Sequence, residues 1–564
     1  MRALVAAEAR GPGPEALVQW RPVRRSAIFL LFLCFLTFFL GLGRAAISDS
    51  DEAFYAESSR EMVENGDWLT PHYNYQYRWQ KPVLYYWLTA ITYVVGGVSE
   101  WAARAWSALA GAGLAFVTYA AGRRITGHDE VGWLAGAIAA TCFGYFVMAR
   151  LALPDLPLAF FATLTITAAF ERRWLLAGLA AGLGFLMKGP VALLLAGIVL
   201  VPVWWMERPT FRVSLADLAK GFAVFAVVGL PWYGTMTATH GAEYLRSFFL
   251  ADNFERFTTE RFNEPRSIFF YLPIVLGGML PWSGYLVFAP RTAIMDLVRG
   301  RRRLSAPEQR LLLWALMPLL FFSLSMGKQP RYVLPVLPPL AILLARSIAH
   351  RIERAKNGER SSRRDLYVAT MTTAAILAAL AILLVRARQL FITACPALTW
   401  MAVGTLLAAA VALTAIARRR TWERLPVAVA TCAALALLAA QFGALAGIRP
   451  EPVERMAALV SEHRTAQESV GEYQVFVRNL IFYSRFSQTE LFGEDQAVRF
   501  MKSPERVLMV VRDTDLPHLE MLSGIAMRRL GQVKYVNTAN FKLRQIVWPM
   551  PEEDVQTVLL VANR

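Results

Sequence analysis

The sequence predicts a polytopic α-helical membrane protein that ends in a small C-terminal α/β domain. Two observations predict it. Of the 564 residues, 56% are hydrophobic, and apolar runs of about 16 to 22 residues recur between Ser26 and Gly447. From about residue 449 the composition becomes that of an ordinary soluble domain. The formal net charge of +17 is explained by basic residues at cytoplasmic helix ends, so it requires no nucleic acid partner.

Fourteen apolar segments are candidate spans. They lie at roughly 26–44, 82–97, 101–120, 131–148, 152–170, 174–188, 190–206, 219–238, 267–288, 310–325, 331–347, 368–386, 396–417 and 426–447. Basic clusters mark the cytoplasmic loops, most clearly Arg291–Arg303, Arg346–Arg364 and Arg418–Arg424. Alternation between these loops requires segment 82–97 to begin and end outside. We therefore interpret 82–97 as a re-entrant or interfacial helix, which leaves about thirteen spans. The alternative is that 82–97 crosses and a short neighbouring segment does not.

This pattern divides the chain into three regions. They are a cytoplasmic tail at 1–25, a transmembrane catalytic domain at 26–448 and a soluble outer domain at 449–564. The transmembrane domain contains a first outer loop at 44–81 and a second large outer loop at 239–266. In the C-terminal domain, short apolar runs predict strands at Tyr473–Phe476, Val507–Val511, Val533–Val536 and Val555–Val561, and a helix at Leu519–Leu530.

The first outer loop carries the strongest functional signal. It begins with acidic residues, including Asp49, Asp51 and Glu52, and it ends in an aromatic and basic run that closes on Gln80 and Lys81. Long polar loops in compact proteins are usually functional. Asp155 and Lys188, at the outer ends of later spans, and the GKQPRY run at 327–332 lie on the same side. Ionisable residues of both signs at one membrane face fit an anionic amphiphile with a reacting sugar.

Each of these residues also has a plainer interpretation. Asp51 and Asp155 stand where helix caps are expected. Lys188 and Lys328 would extend to lipid headgroups, and Tyr85 would belong to an interfacial aromatic belt. The convergence of the set on one face favours function over these separate explanations. The sequence has no P-loop, dinucleotide fingerprint or HExxH motif. A transfer outside the membrane would then take its sugar from a lipid carrier, using a carboxylate and several cations.

Several ordered motifs resemble those of the bacterial lipid A aminoarabinose transferases, within the protein O-mannosyltransferase-like membrane glycosyltransferases of the GT-C fold. The motifs are DEAFYAESSREMVENGDWLTP, QKPVLYYW, FLMKG, GKQPRYVLP and FFYLPIVLGGMLPW, and they extend from about Ile47 to Leu344. The resemblance places the catalytic aspartate at Asp51 and the lysine that contacts the carrier phosphate at Lys81. It also links Asp155 with Lys188 across the site.

The resulting candidates fall into three groups. The catalytic candidates are Asp51, Asp49 and Asp155. The candidates for the carrier phosphate are Lys81, Lys188, Lys328 and Arg331, and those for substrate contact are Glu52, Tyr55, Gln80, Tyr85 and Tyr332. Four positions depart from the family, which has glutamate at Gln80, histidine at Glu264, arginine at Phe54 and no acid at Asp49. A divalent metal cation is left open as a cofactor, with Glu264 as its candidate ligand.

The expected function is that of an inverting glycosyltransferase. It would move a sugar from a polyprenyl (undecaprenyl) phosphate carrier to lipid A, lipopolysaccharide or another envelope acceptor, with aminoarabinose transfer to lipid A as the closest match. The expected partners are the lipid-linked donor, a lipid or glycolipid acceptor and membrane lipids. The expected location is the bacterial inner membrane, with the site on the periplasmic face. The alternatives are a transporter or flippase of lipid-linked sugars, and an assembly subunit with a degenerate site.

Overall fold

Helices build most of the chain. The structure, a computed structural model, describes residues 23–208, 213–249, 266–288, 290–300, 303–390, 394–445, 447–537 and 543–564. The helices that precede the C-terminal sheet are α1 Val23–Cys34, α2 Asp51–Asn65, α3 Leu84–Gly96, α4 Glu100–Thr126, α5 Asp129–Thr141, α6 Phe143–Ala149, α7 Asp155–Phe170, α8 Trp174–Lys188, α9 Val191–Met206, α10 Leu215–Gly229, α11 Pro231–Leu245, α12 Tyr271–Gly278, α13 Ser283–Phe288, α14 Arg291–Val298, α15 Ala306–Leu324, α16 Leu337–Lys356, α17 Arg360–Ala387, α18 Pro396–Arg419 and α19 Leu425–Ala440. Every one of the fourteen predicted apolar segments contains helix.

Several helices are long and apolar enough to cross a membrane. By length and composition, five qualify in the described part of the chain: Glu100–Thr126, Pro330–Lys356, Arg360–Ala387, Pro396–Arg419 and Trp422–Ala444. Two further pairs, α5 with α6 and α10 with the helix at Pro231–Phe249, qualify as bent spans with angles of 55° and 45°. Helix α3 has only 13 residues, or about 20 Å at 1.5 Å per residue, against a hydrocarbon core of about 30 Å. Its length agrees with the prediction that 82–97 does not cross, and both that prediction and the count of thirteen spans stay predictions.

The C-terminal region contains a five-stranded mixed sheet. Its strands are β3 Val470–Tyr473, β4 Thr489–Leu491, β5 Leu508–Arg512, β6 Arg528–Tyr535 and β7 Gln556–Ala562. Their order is β4-β3-β5-β7-β6, with β3 parallel to β4 and β5, and β7 antiparallel to β5 and β6. The associated helices are α20 Pro452–His463, α21 Leu480–Ser484, α22 Glu494–Met501, α23 Leu516–Ser523, α24 Leu543–Val547 and α25 Pro551–Asp554. We call residues 449–564 the C-terminal unit.

Both faces of this sheet are covered, which explains why its central strands are apolar throughout. Leu508 and Val510 of β5 pack in one cluster with residues of α20, while Met509 and Val511 pack on the other face with residues of α22 and α23. Strands buried on two faces lose the alternation of polar and apolar residues. The run at 507–511 was predicted correctly as a strand for this reason.

Two predicted boundaries in the C-terminal unit are wrong. The strand predicted at 473–476 ends at Tyr473, because Gln474 and Phe476 adopt positive φ angles of 55° and 56° that no strand allows. The helix predicted at 519–530 ends at Ser523, because Gly524 takes a left-handed C-cap conformation with φ of 71°. Residues 528–530 then belong to strand β6.

The C-terminal unit packs against the first outer loop. The backbone N–H of Ala46 donates to Glu451 Oε1 at 3.0 Å, and that of Ile47 donates to the Tyr483 hydroxyl at 2.8 Å. Farther along the loop is a short hairpin of β1 His72–Tyr73 and β2 Gln76–Tyr77. At its turn the Asn74 side chain donates to the Gln488 carbonyl at 2.7 Å. These contacts fix the loop in which the first candidate residues lie.

Candidate active site

Asp51 does not cap helix α2, which it begins. Ser50 is the N-cap of α2, with φ of −149°, and its hydroxyl accepts the N–H of Glu52 at 3.3 Å. Asp51 is therefore the first helical residue, and the interpretation of Asp51 as the cap is wrong. Its carboxylate is not used for capping and forms an ion pair with Arg331 through Oδ2. The Asp51 side chain is 39% exposed, so it is accessible to a substrate.

Arg331 connects Asp51 with a second acid. Asp155 begins α7, where Pro154 precedes it without any side-chain cap, and it is buried. Its Oδ1 accepts the Lys188 ammonium at 2.5 Å and lies 3.4 Å from Arg331 Nε. Four residues from four separate parts of the chain thus form one continuous row of alternating charge: Asp51, Arg331, Asp155 and Lys188. We call this row the charged row.

The surroundings of Asp51 keep it ionised. Burial alone raises the pKa of its carboxyl, but the positive charges of Arg331, Arg478 and Arg78 outweigh burial and lower the pKa below its ordinary value. Asp51 is consequently a carboxylate at neutral pH. It can accept a hydrogen bond from an approaching nucleophile, and it is a weaker base than an isolated aspartate.

Lys328 and Tyr332 lie in the same short segment as Arg331, at 327–332. The Lys328 ammonium is buried and donates to the backbone carbonyl of Ser325 at 2.6 Å. Its side chain folds back onto residue 325, and its predicted phosphate contact stays a prediction. Tyr332 is buried, and the Lys188 ammonium lies 5.1 Å from its ring centroid. Tyr332 therefore supports Lys188.

Three predicted substrate contacts face the protein interior instead. Glu52 is fully buried, and its carboxylate pairs with Arg104 at 2.7 Å and accepts the Ala152 N–H at 3.0 Å. The fully buried Tyr85 has its hydroxyl 2.9 Å from Ser107 Oγ. Tyr55 is buried between the rings of Tyr85 and Tyr86. Residues adjacent in a helix point about 100° apart, so Glu52 leaves the face on which Asp51 lies.

Asp49 faces the C-terminal unit. Its Oδ1 accepts the backbone N–H of Arg478 at 2.9 Å, and burial raises the pKa of its carboxyl. Asp49 thus holds the backbone of residues 476–478, and its predicted catalytic role stays a prediction.

The described residues bring together no set of ligands for a metal. Gln80 has a buried amide oxygen, Oε1, with no hydrogen-bond partner in the structure, but it is a neutral donor. Glu264 lies outside the described residues. Among the described ranges from 23 to 564, no three His, Cys, Asp or Glu side chains come together as metal ligands would. Lys81 follows Gln80 directly before α3 and is partly buried.

Two arginines that the sequence reasoning did not select also face Asp51. The guanidinium of Arg478 lies 3.9 Å from Asp51 Oδ1, measured from Nη1. Arg78 and Arg478 both lie over the ring of Phe54, at 3.9 Å and 5.2 Å from its centroid. Arg78 could have been found, because it belongs to the aromatic and basic run that ends at Lys81. Arg478 had no such signal, since it is far away in sequence and outside any motif.

Comparison with known proteins supports the resemblance drawn from the sequence. The family model described as dolichyl-phosphate-mannose-protein mannosyltransferase matches residues 26–240. An undecaprenyl phosphate-alpha-4-amino-4-deoxy-L-arabinose arabinosyl transferase from Pseudomonas aeruginosa is 35% identical over 343 residues. That match covers 58% of this chain and 61% of the relative, so it spans about three-fifths of the relative's length.

Solved structures share the fold over nearly the whole chain. ArnT from Cupriavidus metallidurans bound to undecaprenyl phosphate superposes with a TM-score of 0.71 at 21% identity, covering 96% of this chain and 99% of that one. The archaeal oligosaccharyltransferase AglB from Archaeoglobus fulgidus, in complex with an inhibitory peptide and a dolichol-phosphate, has a TM-score of 0.54 at 13% identity. That superposition covers 96% of this chain and 76% of that one. The predicted class, a multi-pass helical membrane protein with the GT-C fold, is confirmed.

Proposed function

We propose that this chain, with the GT-C fold and a sequence similar to aminoarabinosyl transferases, is an inverting glycosyltransferase that uses a polyprenyl phosphate-linked sugar. The donor carrier is undecaprenyl phosphate, and the acceptor is lipid A, lipopolysaccharide or another envelope molecule. Aminoarabinose transfer to lipid A is the closest match, because the relatives carry that name. The observation that carries the proposal is the charged row, which places an ionised acid beside cations suited to a phosphate.

Asp51 orients the acceptor in this mechanism. Its carboxylate stays ionised and exposed, so it accepts a hydrogen bond from an acceptor hydroxyl and then takes the proton as the new bond forms. An acceptor phosphate is already ionised, and it requires only orientation. The acceptor oxygen bonds to the anomeric carbon while the bond from that carbon to the carrier phosphate breaks. The bonding electrons leave on the phosphate oxygen, and this single displacement inverts the anomeric centre.

Arg331 and Lys188 stabilise the departing phosphate. Both are held by acids before the donor arrives, Arg331 by Asp51 and Asp155, and Lys188 by Asp155. Charged groups fixed in advance stabilise developing charge without reorganising during the reaction. A guanidinium also offers several donors in a fixed plane, which suits the oxygens of a phosphate. Lys81, at the end of the same loop as Asp51, joins this phosphate group in the proposal.

The proposal includes a location and an orientation. The chain has about thirteen spans, with residues 1–25 in the cytoplasm, 82–97 at the interface and 449–564 in the periplasm. The site then opens on the periplasmic face of a bacterial inner membrane, where a lipid-linked donor and a glycolipid acceptor meet. The charge bias of the loops supports this orientation, because the basic clusters fall on the opposite side from the first outer loop.

An Asp51→Asn variant tests the proposal. The purified protein is reconstituted in liposomes with labelled undecaprenyl phosphate sugars and lipid A, and products are identified by mass spectrometry. We expect transfer by the native protein and a loss of about 100-fold or more in the variant, since a group that orients the acceptor or takes its proton contributes about 10² or more to the rate. Asp67→Asn is the matched control, because Asp67 lies in the same loop and caps the N–H groups of Leu69 and Thr70.

Three results would contradict the proposal. Full transfer by Asp51→Asn removes Asp51 from the mechanism. Movement of the labelled donor across the bilayer without any product of increased mass establishes the flippase instead. Equal losses in Asp51→Asn and Asp67→Asn show damage to the loop rather than to the chemistry. The mass gained by the acceptor also identifies the sugar.

A further inference from the structure

We propose that the C-terminal unit supplies a residue to the active site, Arg478, which positions the carboxylate of Asp51. This inference rests on the proposed transferase function. The sequence of the C-terminal unit contains no recognisable catalytic motif. The proposal makes residues 449–564 part of the catalytic apparatus rather than an appended domain.

The two oxygens of Asp51 have different arginine partners. Oδ2 pairs with Arg331 of the membrane domain, and Oδ1 lies 3.9 Å from Nη1 of Arg478. The carboxylate is thus flanked from both sides, which restricts its rotation. Arg78 also acts on Asp51, and Asp155 pairs with Arg331, so the electric field at the carboxylate has several sources. Arg478 is the one described partner of Asp51 that comes from beyond the membrane domain.

Arg478 is presented by an unusual turn. Gln474 and Phe476 are non-glycine residues with positive φ, and such conformations persist where the surrounding structure requires them. Phe476 is fully buried, and its ring packs edge-on to Tyr535 with centroids 4.7 Å apart. The turn therefore starts from a rigid anchor in the core of the C-terminal unit and leads directly to Arg478.

The first outer loop holds the other side of the same turn. The Arg478 N–H donates to Asp49 Oδ1 at 2.9 Å, and its carbonyl accepts the Tyr73 hydroxyl at 3.3 Å. The next side chain, Asn479, donates to the Ile47 carbonyl at 2.9 Å. Three bonds from one loop to two consecutive residues fix the backbone from which the Arg478 guanidinium extends.

Stability alone does not account for this arrangement. The Arg478 and Asp51 side chains are 40% and 39% exposed, and exposed ion pairs contribute little to folding. A pair of that kind needs no strained turn and no three-bond support. Placement is what the support provides: it keeps a positive charge beside an acid that has to be oriented toward the acceptor. Small displacements of such a group are costly in rate, since a misplacement of about 1 Å can reduce a rate about 100-fold.

The test uses the full-length protein in liposomes with three variants: Arg478→Gln, Arg478→Lys and the control Arg499→Gln. Arg499 is an exposed arginine of the same unit, and its side chain bonds only locally, to the Asp495 carbonyl. For Arg478→Gln we expect kcat to fall about 10- to 100-fold. We expect the KM for the donor, the affinity for undecaprenyl phosphate and the Tm to stay at native values. Arg478→Lys should restore most of kcat, and Arg499→Gln should match the native protein.

The outcomes separate this inference from the proposed function. A native protein that transfers sugar, with Arg478→Gln at native kcat, overturns the inference and leaves the function intact. Equal losses of Tm and activity in Arg478→Gln and Arg478→Lys also overturn it, because they indicate a structural role. A weakened affinity for undecaprenyl phosphate with kcat unchanged would assign Arg478 to the carrier instead of Asp51. A native protein that transfers no sugar defeats the proposed function and this inference together.

Discussion

Replacing Arg104 by methionine should destabilise the protein severely without touching the reacting groups. Arg104 lies in α4 and is 3% exposed, and the Glu52 carboxylate beside it is 0% exposed. Its guanidinium donates to both oxygens of Glu52, at 2.7 Å and 3.2 Å. It also donates to three carbonyls just before or at the start of the first outer loop, those of Leu42, Ala45 and Ala46. One side chain thus joins α4, the start of α2 and the start of the loop.

The magnitude follows from what remains after the change. Arg104→Met leaves the Glu52 charge buried, and removing one partner of a buried ion pair costs about 3–5 kcal/mol. Glu52 keeps the N–H groups of Ser48 and Ala152, which favours the lower half of that range. The three freed carbonyls add about 1–3 kcal/mol for each one that stays unsatisfied. With one carbonyl left unsatisfied, the total is about 4–7 kcal/mol. At roughly 1–2 °C per kcal/mol, which extends the size dependence of Tm shifts to this chain length, the Tm should fall by about 4–14 °C.

Thermal unfolding followed by tryptophan fluorescence measures this effect in detergent or lipid. Glu52→Gln keeps the shape and removes the buried charge, so the double variant should lose less stability than the two single losses added together. Asp217→Asn is the control, because Asp217 belongs to an exposed pair with Lys220 at 4.0 Å, and it should change stability by about 0.5 kcal/mol or less. An unchanged Tm in Arg104→Met would refute this reasoning. Native stability with lost sugar transfer in Glu52→Gln would make Glu52 a substrate contact after all.

Two further predictions concern the carrier phosphate and pH. Lys188→Met and Lys81→Ala should each weaken the binding of undecaprenyl phosphate about tenfold, because each removes a cation from the phosphate site. Lys220→Met is the control. Native affinity in either variant would exclude that lysine from the phosphate site. Burial, and next the Glu57 charge, raise the pKa of Glu61 to about 8. The folded state therefore keeps a proton that the unfolded chain releases near pH 4.5, so the Tm should fall between pH 5 and 8. Glu61→Gln should flatten that slope, and an unchanged slope in the variant would show that Glu61 titrates normally.

The sequence was sufficient to predict the helices and to identify the residues of the charged row. Apolar segments long enough for a bilayer have few alternatives to helix, because every backbone polar group must be bonded within the segment. Asp51, Lys188 and Arg331 lie in ordered motifs that resemble one family, and the same resemblance links Asp155 with Lys188, so their convergence was accessible from the sequence. The structure adds how they pair, since Arg331 contacts both acids and Lys188 pairs with Asp155.

Side-chain direction was not accessible in the same way. Glu52 and Tyr85 lie in the same runs as Asp51 and Lys81, yet both point inward. The direction of a side chain depends on the exact start of each helix, and Ser50, rather than Asp51, is the N-cap of α2. Arg478 was missed for a different reason. Its position follows from how the C-terminal unit packs on the first outer loop, and no local pattern records such a contact.

The balance of charge around Asp51 favours the reaction more than it favours donor binding. The two acids of the charged row, Asp51 and Asp155, are surrounded by four cations, which are Arg78, Arg331, Arg478 and Lys188. Even with Asp49 counted as ionised, these four cations outnumber the three acids, and burial raises the pKa of Glu490, a further acid near Arg478 and Arg78. A sugar linked to a polyprenyl phosphate carries one negative charge as a diester, and the released monoester gains a second. Cations in excess therefore stabilise the developing product charge more strongly than the bound donor, and only interactions that strengthen toward the transition state accelerate a reaction. Arg478 adds to that excess from outside the membrane domain, so loss of the C-terminal unit's contact should lower kcat more than it lowers the affinity for the donor.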